Sequence, residues 1–364
     1  MKDSRHITVI QAATILASTI IGVGILTLPL SAVQAADSGA PLVTFAGMLL
    51  ALIGLIWITL LGMRFPKQSF VEYSEAILGK WFAWGGSALL IVFIGILTSL
   101  VAREFGEVVV TAILKQTPLE AIVLAMLLLV AFPSRKGIEI FSCIHYFYFP
   151  LLLVPGLLII VLSFRNAEFI NLEPIWGNNP SGFLLGILTL GTSFQGSFIM
   201  MMVIPAMRHP RKSLPAGVWG MLIAGVLYVM VVIASVSVFG ADEIKLTLWP
   251  TLELAKMTSL PANILERLDA LFLIAWVITV FTSLFSCYYF TVYAISKLFR
   301  LADQRMLSFF MLPIIFTLAV LPGNVVQLYQ IIQIAGQAGL LFTIAYPGLL
   351  LFVAIVRKKK GIKE

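Results

Sequence analysis

Apolar positions in this chain do not alternate with polar ones at the short periods of a soluble fold. They run in long blocks, broken by brief clusters of charge or by proline and glycine. A helix needs about 20 apolar residues to cross the hydrocarbon core of a bilayer, within a range of roughly 17–25. On that ruler ten spans are expected, near 8–36, 40–62, 83–113, 119–133, 138–164, 182–206, 213–239, 266–296, 306–321 and 325–356, of which the fourth and ninth are short. Between the second and third, Pro66–Trp81 follows another pattern. Ser69 and Glu72 have the spacing of a capping box. Phe70, Tyr73, Ile77 and Trp81 recur at three or four residues and mark one apolar face, and Gly79 ends the run. A short interfacial helix at the cytoplasmic surface is expected, with a tight loop as the alternative. The loops 165–181 and 240–265 are longer and more acidic. The second holds Trp249, Pro250 and Pro261 and is expected to contain short helical or re-entrant pieces.

Within the first block, Thr19–Pro29 carries two glycines, two threonines and a proline. Gly22 and Gly24 lack a Cβ, so the backbone there is free to leave helical geometry or to let a ligand approach. Unpaired backbone inside a bilayer is tolerated where it faces protein or a cavity. The sixth block repeats the theme: Gly191, Thr192, Ser193, Gly196 and Ser197 cluster in mid-span, with Phe194 and Gln195 among them and Pro205 following. Interrupted spans at matching positions of two halves point to a binding site at a repeat interface. Small-residue packing between helices is the other reading of the same pattern. The fold expected is therefore all-α and polytopic: one transmembrane domain over 1–364, built of a five-helix repeat over 8–164 and an inverted five-helix repeat over 182–356, with helices 1 and 6 broken.

Composition and charge fit this picture. The 364 residues are 60% hydrophobic and 11% charged, against roughly 25% charged in soluble domains. Of the 24 basic residues, 18 fall at the chain ends and in the loops on the same side as them. By the positive-inside rule both termini are expected in the cytoplasm, with an even number of spans. The net charge of +7 thus follows topology and does not point to nucleic acid. The basic tail Arg357–Lys360 is placed to touch anionic lipid. Cys143 and Cys287 are expected to be small buried residues, and the three scattered histidines argue against a metal centre. No removable signal peptide is expected, and no segment matches a nucleotide-binding loop, a metalloprotease helix or a nucleophile elbow. Neither an enzyme nor a cofactor is expected.

Polar residues inside apolar spans are costly and tend to face the bundle or a water path. In the third span these are Thr98, Ser99, Arg103, Glu104 and Glu107. Arg103 and Glu107, four apart, are placed to pair, which leaves Glu104 as the candidate pathway carboxyl. His145 in the fifth span is either a proton relay or a satisfied core residue. Thr279, Thr282, Ser283, Ser286 and Tyr293 make a polar stripe on the eighth span. Gln330, Gln333 and Gln337 share a face of the tenth, with Gln327 extending it.

Four stretches, Ile7-Thr-Val-Ile-Gln, the Thr19–Pro29 core, Arg64-Phe-Pro66 and the Phe70–Trp81 helix, make the chain resemble the endospore germination permease family. That family comprises the B subunits of nutrient germinant receptors, within the amino acid/polyamine/organocation transporter superfamily. The resemblance implies a five-plus-five inverted repeat. It also implies a sensor of a small nutrient such as an amino acid, a sugar or a nucleoside, in the spore inner membrane or the bacterial cytoplasmic membrane. Its companions would be an A-type membrane subunit and a C-type lipoprotein subunit. By the same resemblance, the backbone of Ile21, Gly22, Val23 and Gly24, with Thr19 nearby, would hold a ligand carboxylate. Gly191, Thr192, Ser193, Phe194 and Gly196 would surround the rest of the ligand. Thr98, Glu104, Glu107, His145, Thr282, Ser283, Gln330 and Gln333 would line the pathway or gate it. Two alternatives remain at this point: a proton- or sodium-coupled amino acid transporter, and a water or ion channel.

Overall fold

The computed structural model describes residues 6–177, 180–258, 268–301 and 303–361. Among these the regular structure is helical, apart from one isolated parallel bridge between Ile7 and Met207. In chain order the helices are α1 (Val9–Ile20), α2 (Leu28–Ala36), α3 (Ala40–Arg64), α4 (Phe70–Leu78), α5 (Lys80–Ala112), α6 (Leu119–Ala131), α7 (Ile138–Ser163), α8 (Pro180–Thr192), α9 (Met200–Val203), α10 (Ser213–Lys245), α11 (Pro250–Met257), α12 (Leu268–Leu298), α13 (Arg305–Val320), α14 (Val325–Leu340) and α15 (Tyr346–Val356). A π-helical turn, Leu341–Ala345, joins the last two.

Among the described residues, six helical stretches are long and apolar enough to cross a membrane, and the bent pair Gly182–Thr192 and Gln195–Ala206 makes a seventh. The ten expected spans are not recovered on this measure. α1 ends at Ile20, where the first span breaks, and α6 and α13 have 13 and 16 residues. Each falls short of the length that one straight crossing needs. These apolar helices make the chain a membrane protein. Its periphery carries large apolar side chains such as Val161, Leu184 and Phe352, while Ser18, Ser87 and Thr98 are wholly buried. This arrangement suits a molecule whose outer solvent is lipid.

Close helix crossings rest on small residues. α3 meets α8 where Gly47 faces Gly191: a Cβ on Gly47 would lie 2.8 Å from the Gly191 nitrogen. α10 meets α1 at Gly220, where a Cβ would lie 2.7 Å from the Ala13 carbonyl. The N-terminal segment closes one end of the bundle. The Ile7 amide donates to the Ala206 carbonyl (3.1 Å), the Arg208 amide to the Ile7 carbonyl (2.9 Å), and His6 meets Glu139 at 2.9 Å. At the other end Lys245 bridges to Asp37 at the α2–α3 corner (2.6 Å).

Most local expectations are met. The Ser69–Glu72 capping box forms and starts α4, which Gly79 ends at φ 89°. Phe70, Tyr73 and Ile77 are buried, but Trp81 is 85% exposed. It lies past Gly79 in α5, where the phase of the apolar face is reset. The 240–265 loop contains the short helix α11, and Pro261 lies outside the described residues. Cys287 is buried as expected, whereas Cys143 is exposed on the outer face of α7. An apolar span supports either placement, because lipid is as acceptable to a thiol as the core is.

Candidate functional site

The two interruptions are real departures from the helix. In the first, the Ile21 amide makes the last α-type bond, to Ala17 (2.9 Å). Ile21 and Gly22 are then extended, with φ,ψ of −72°, 101° and −134°, −155°. A 3-10 turn over Val23–Leu26 leads into α2. Pro29 sits in the first turn of α2, where its missing amide has no partner to lose, so it starts that helix rather than breaking α1. In the second, α8 ends at Thr192 and a 3-10 turn resumes at Gln195–Ile199, with a bend of 40°.

The breaks pack on each other. A Cβ on Gly196 would fall 2.9 Å from the Ile20 nitrogen and 3.1 Å from its Cα. Backbone groups freed by the first break are taken up by side chains of neighbouring helices. The Tyr228 hydroxyl on α10 donates to the Ile20 carbonyl (2.7 Å). Thr251 on α11 donates to the Ile25 carbonyl (2.7 Å). These contacts matter because a freed backbone group in a dry bundle costs several kcal/mol if left unpaired, on the order of 2–7.

A cavity of about 820 Å³ opens at the breaks and runs toward the end of the bundle where α2 stops and α14 begins. Its wall includes Thr19, Gly22, Val23 and Gly24 from the first break, and Thr192, Ser193, Gln195 and Gly196 from the second. α5 adds Leu97, Leu100, Val101 and Glu104, α12 adds Ser283 and Cys287, and α14 adds Tyr329, Gln330, Gln333 and Gln337. The space around Gly24 is open: a Cβ there would meet nothing within 4 Å. Glu104 is 5% exposed and shares this wall with Tyr329, whose hydroxyl accepts the Trp249 indole N–H (3.0 Å). The Gln195 amide donates to the Gly336 carbonyl and so ties the second break to α14.

Beneath Thr19 lies a buried polar set that joins α1, α7 and α12. Thr19 Oγ1 lies 2.7 Å from Ser286 Oγ, Ser286 Oγ is 3.2 Å from His145 Nε2, and His145 Nδ1 is 2.6 Å from Ser18 Oγ. Ser18 also reaches the Thr14 carbonyl at 2.7 Å. Two donor orders satisfy the four side chains: Thr19 to Ser286, Ser286 to Nε2, Nδ1–H to Ser18 and Ser18 to the Thr14 carbonyl, or the reverse, in which Thr19 donates to the Ile15 carbonyl (2.7 Å), Ser286 to Thr19, Nε2–H to Ser286 and Ser18 to Nδ1. The imidazole packs over Phe285 with its plane only 9° off parallel. Thr282 donates to the Thr279 carbonyl (2.9 Å) alongside this set.

The residues singled out from the sequence thus divide. Thr19, Gly22, Val23, Gly24, Thr192, Ser193, Gly196, Glu104, Ser283, Gln330 and Gln333 line one cavity. Ile21 is buried behind it, and Phe194 packs on Tyr228 with ring centroids 5.2 Å apart. Gly191 serves the crossing with α3. Thr98 donates to its own helix at Ile94 (2.7 Å), and Glu107 pairs with Arg103 (2.7 Å). His145 and Thr282 belong to the set beneath the cavity. Gln327 departs from the glutamine face, since it accepts from the Gly323 amide and its own amide is capped by Asn324. Sequence reasoning passed over Tyr228, Tyr329 and Thr251. A tyrosine inside an apolar span was the available signal for the first two. Thr251 had none, because its partner is a carbonyl more than 200 positions away.

The family model for spore germination proteins matches residues 6–327. The chain belongs to that family. It is 27% identical over 360 residues to spore germination protein YndE of Bacillus subtilis (strain 168), covering 98% of each chain. It is 26% identical over 367 residues to spore germination protein B2 of the same organism, covering 99% of each. In fold this germination permease is similar to Mhp1, a nucleobase-cation-symport-1 family transporter solved in a closed conformation with bromovinylhydantoin bound. The TM-score is 0.72 at 16% identity, covering 98% of this chain and 80% of that one.

Proposed function

We propose that this permease is the nutrient-sensing membrane subunit of a spore germinant receptor. A small molecule such as an amino acid binds where the two helix breaks meet, and occupancy alters the contact with an A-type membrane subunit and a C-type lipoprotein subunit. One observation carries the reading: both breaks, far apart in sequence, wall a single cavity that is covered at the end where Ile7 meets Met207. In this reading the chain crosses the spore inner membrane ten times with both termini cytoplasmic. Its halves, 8–164 and 182–356, are inverted repeats, and short helices such as α6 and α13 count as crossings. The ligand shifts the equilibrium between two arrangements only as far as its affinities for them differ.

Replacing Gly22 or Gly196 by Val is expected to abolish the germination response to nutrient while the protein remains in the membrane. An unchanged dose response with both variants would remove the cavity from the mechanism. The likeness to a solute transporter supports a second reading, coupled uptake of an amino acid. Counterflow in proteoliposomes separates the two: stoichiometric uptake by the isolated chain favours transport, and saturable binding without flux favours a receptor.

A further inference from the structure

Resting on that reading of the cavity, we infer that Glu104 is its cation-recognising group, so that the ligand must carry a protonated amine. Among the described residues lining the cavity, Glu104 is the sole formally charged side chain. Its neighbour Arg103 does not serve it, because Arg103 is held by Glu107 at 2.7 Å, and among the described residues no basic group forms an ion pair with Glu104. Tyr329 shares the cavity wall with Glu104, and the Tyr329 oxygen is held by the Trp249 indole (3.0 Å). The acceptor capacity of the carboxylate faces the cavity. A carboxylate taken out of water is stabilised by a cation with good hydrogen-bond geometry, and among the described residues no side chain lining this cavity supplies one.

An ammonium group has the matching chemistry: one positive charge and three donors. Gln333 lies one turn beyond Tyr329 and faces the same cavity, where its amide oxygen is available to a further donor. Leu97, Leu100 and Val101 precede Glu104 on the same wall of α5 and form an apolar surface beside the carboxyl. The subsite therefore fits a small aliphatic molecule bearing a primary amine. A sugar or nucleoside would leave the carboxylate uncompensated.

The test is ligand-induced thermal stabilisation of the purified full chain in lipid nanodiscs. Matched pairs are compared: L-alanine with L-lactate, L-valine with 2-hydroxyisovalerate, and each amino acid with its N-acetyl form, with glucose and inosine as neutral probes. Stabilisation by an amino acid and not by its hydroxy or N-acetyl analogue is expected. Glu104→Gln, which keeps the size and removes the charge, is expected to weaken amino acid binding by about tenfold or more, with Glu104→Asp intermediate. Stabilisation by a neutral probe that Gly22→Val abolishes and Glu104→Gln leaves unchanged overturns the amine subsite and keeps the cavity. Stabilisation by no probe, or stabilisation insensitive to Gly22→Val, overturns both. The matched pairs need no variant, so a poorly folded Glu104→Gln leaves the inference open to refutation.

Discussion

Gly22 and Gly196 look alike in sequence but differ in what surrounds them. Gly22 is extended at φ −134°, a conformation any residue adopts, so glycine is required there for room and not for backbone freedom. A Cβ at Gly22 would meet the Ser283 hydroxyl at 2.8 Å, which is able to rotate away, and the Ser283 Cβ at 3.1 Å, which needs a shift of a few tenths of an ångström. A Cβ at Gly196 would strike the backbone of Ile20, which has nowhere to move without separating the breaks. Gly196→Ala is therefore expected to cost about 1–3 kcal/mol and Gly22→Ala about 1 kcal/mol or less. Thermal unfolding of the two purified variants checks this, and an equal or reversed order would refute the packing account. His145 offers a second contrast. If it is replaced by Phe, Ser18 keeps the Thr14 carbonyl and Ser286 keeps Thr19, so no hydroxyl is stranded. The expected loss is about 1 kcal/mol, seen as a small drop in unfolding midpoint; a loss of several kcal/mol would mean the imidazole carries more than these contacts.

At the scale of elements, the short helix α11 is joined to the cavity at two points. Thr251 holds the Ile25 carbonyl of the first break, and Trp249 holds Tyr329 on α14. α11 has only eight residues and would not persist alone, so its position depends on these anchors and on packing. Thr251→Val removes one anchor and leaves a buried carbonyl unpaired, a loss of about 1–3 kcal/mol. Hydrogen exchange is expected to rise over Pro250–Met257 and Val23–Leu26 and to stay unchanged at the Ile7–Met207 closure. Uniform protection across the chain would show that α11 is held by other means.

At the scale of the molecule, the cavity is reached from one end and covered at the other by Ile7, Ala206 and Met207. Cys287 lines it at 4% exposure, while Cys143 faces outward from α7. A Cys143→Ser protein thus carries a single thiol reporting on the cavity. With the termini cytoplasmic, a membrane-impermeant methanethiosulfonate added outside is expected to modify Cys287, and an occupying ligand to slow that reaction. Modification from the cytoplasmic side alone would reverse the assigned orientation.

Much of this was legible in the residues taken in order. Long apolar blocks dictate a membrane protein, because a buried or lipid-facing segment must satisfy its own backbone and helices do so. Ser69 and Glu72 announced α4, the glycine and hydroxyl clusters marked both helix breaks, and the spacing of Arg103 and Glu107 identified an ion pair. These are local signals, carried within one or two turns of chain. Tertiary structure alone decided which marked residues share a wall. It assigned Gly191 to a helix crossing, Gln327 to a cap and Pro29 to a helix start. It also brought Tyr228, Thr251 and Tyr329 to the breaks and to Glu104. The reason is physical: a freed carbonyl or a buried carboxyl requires a partner, but any donor that the fold delivers will serve, from any distance along the chain.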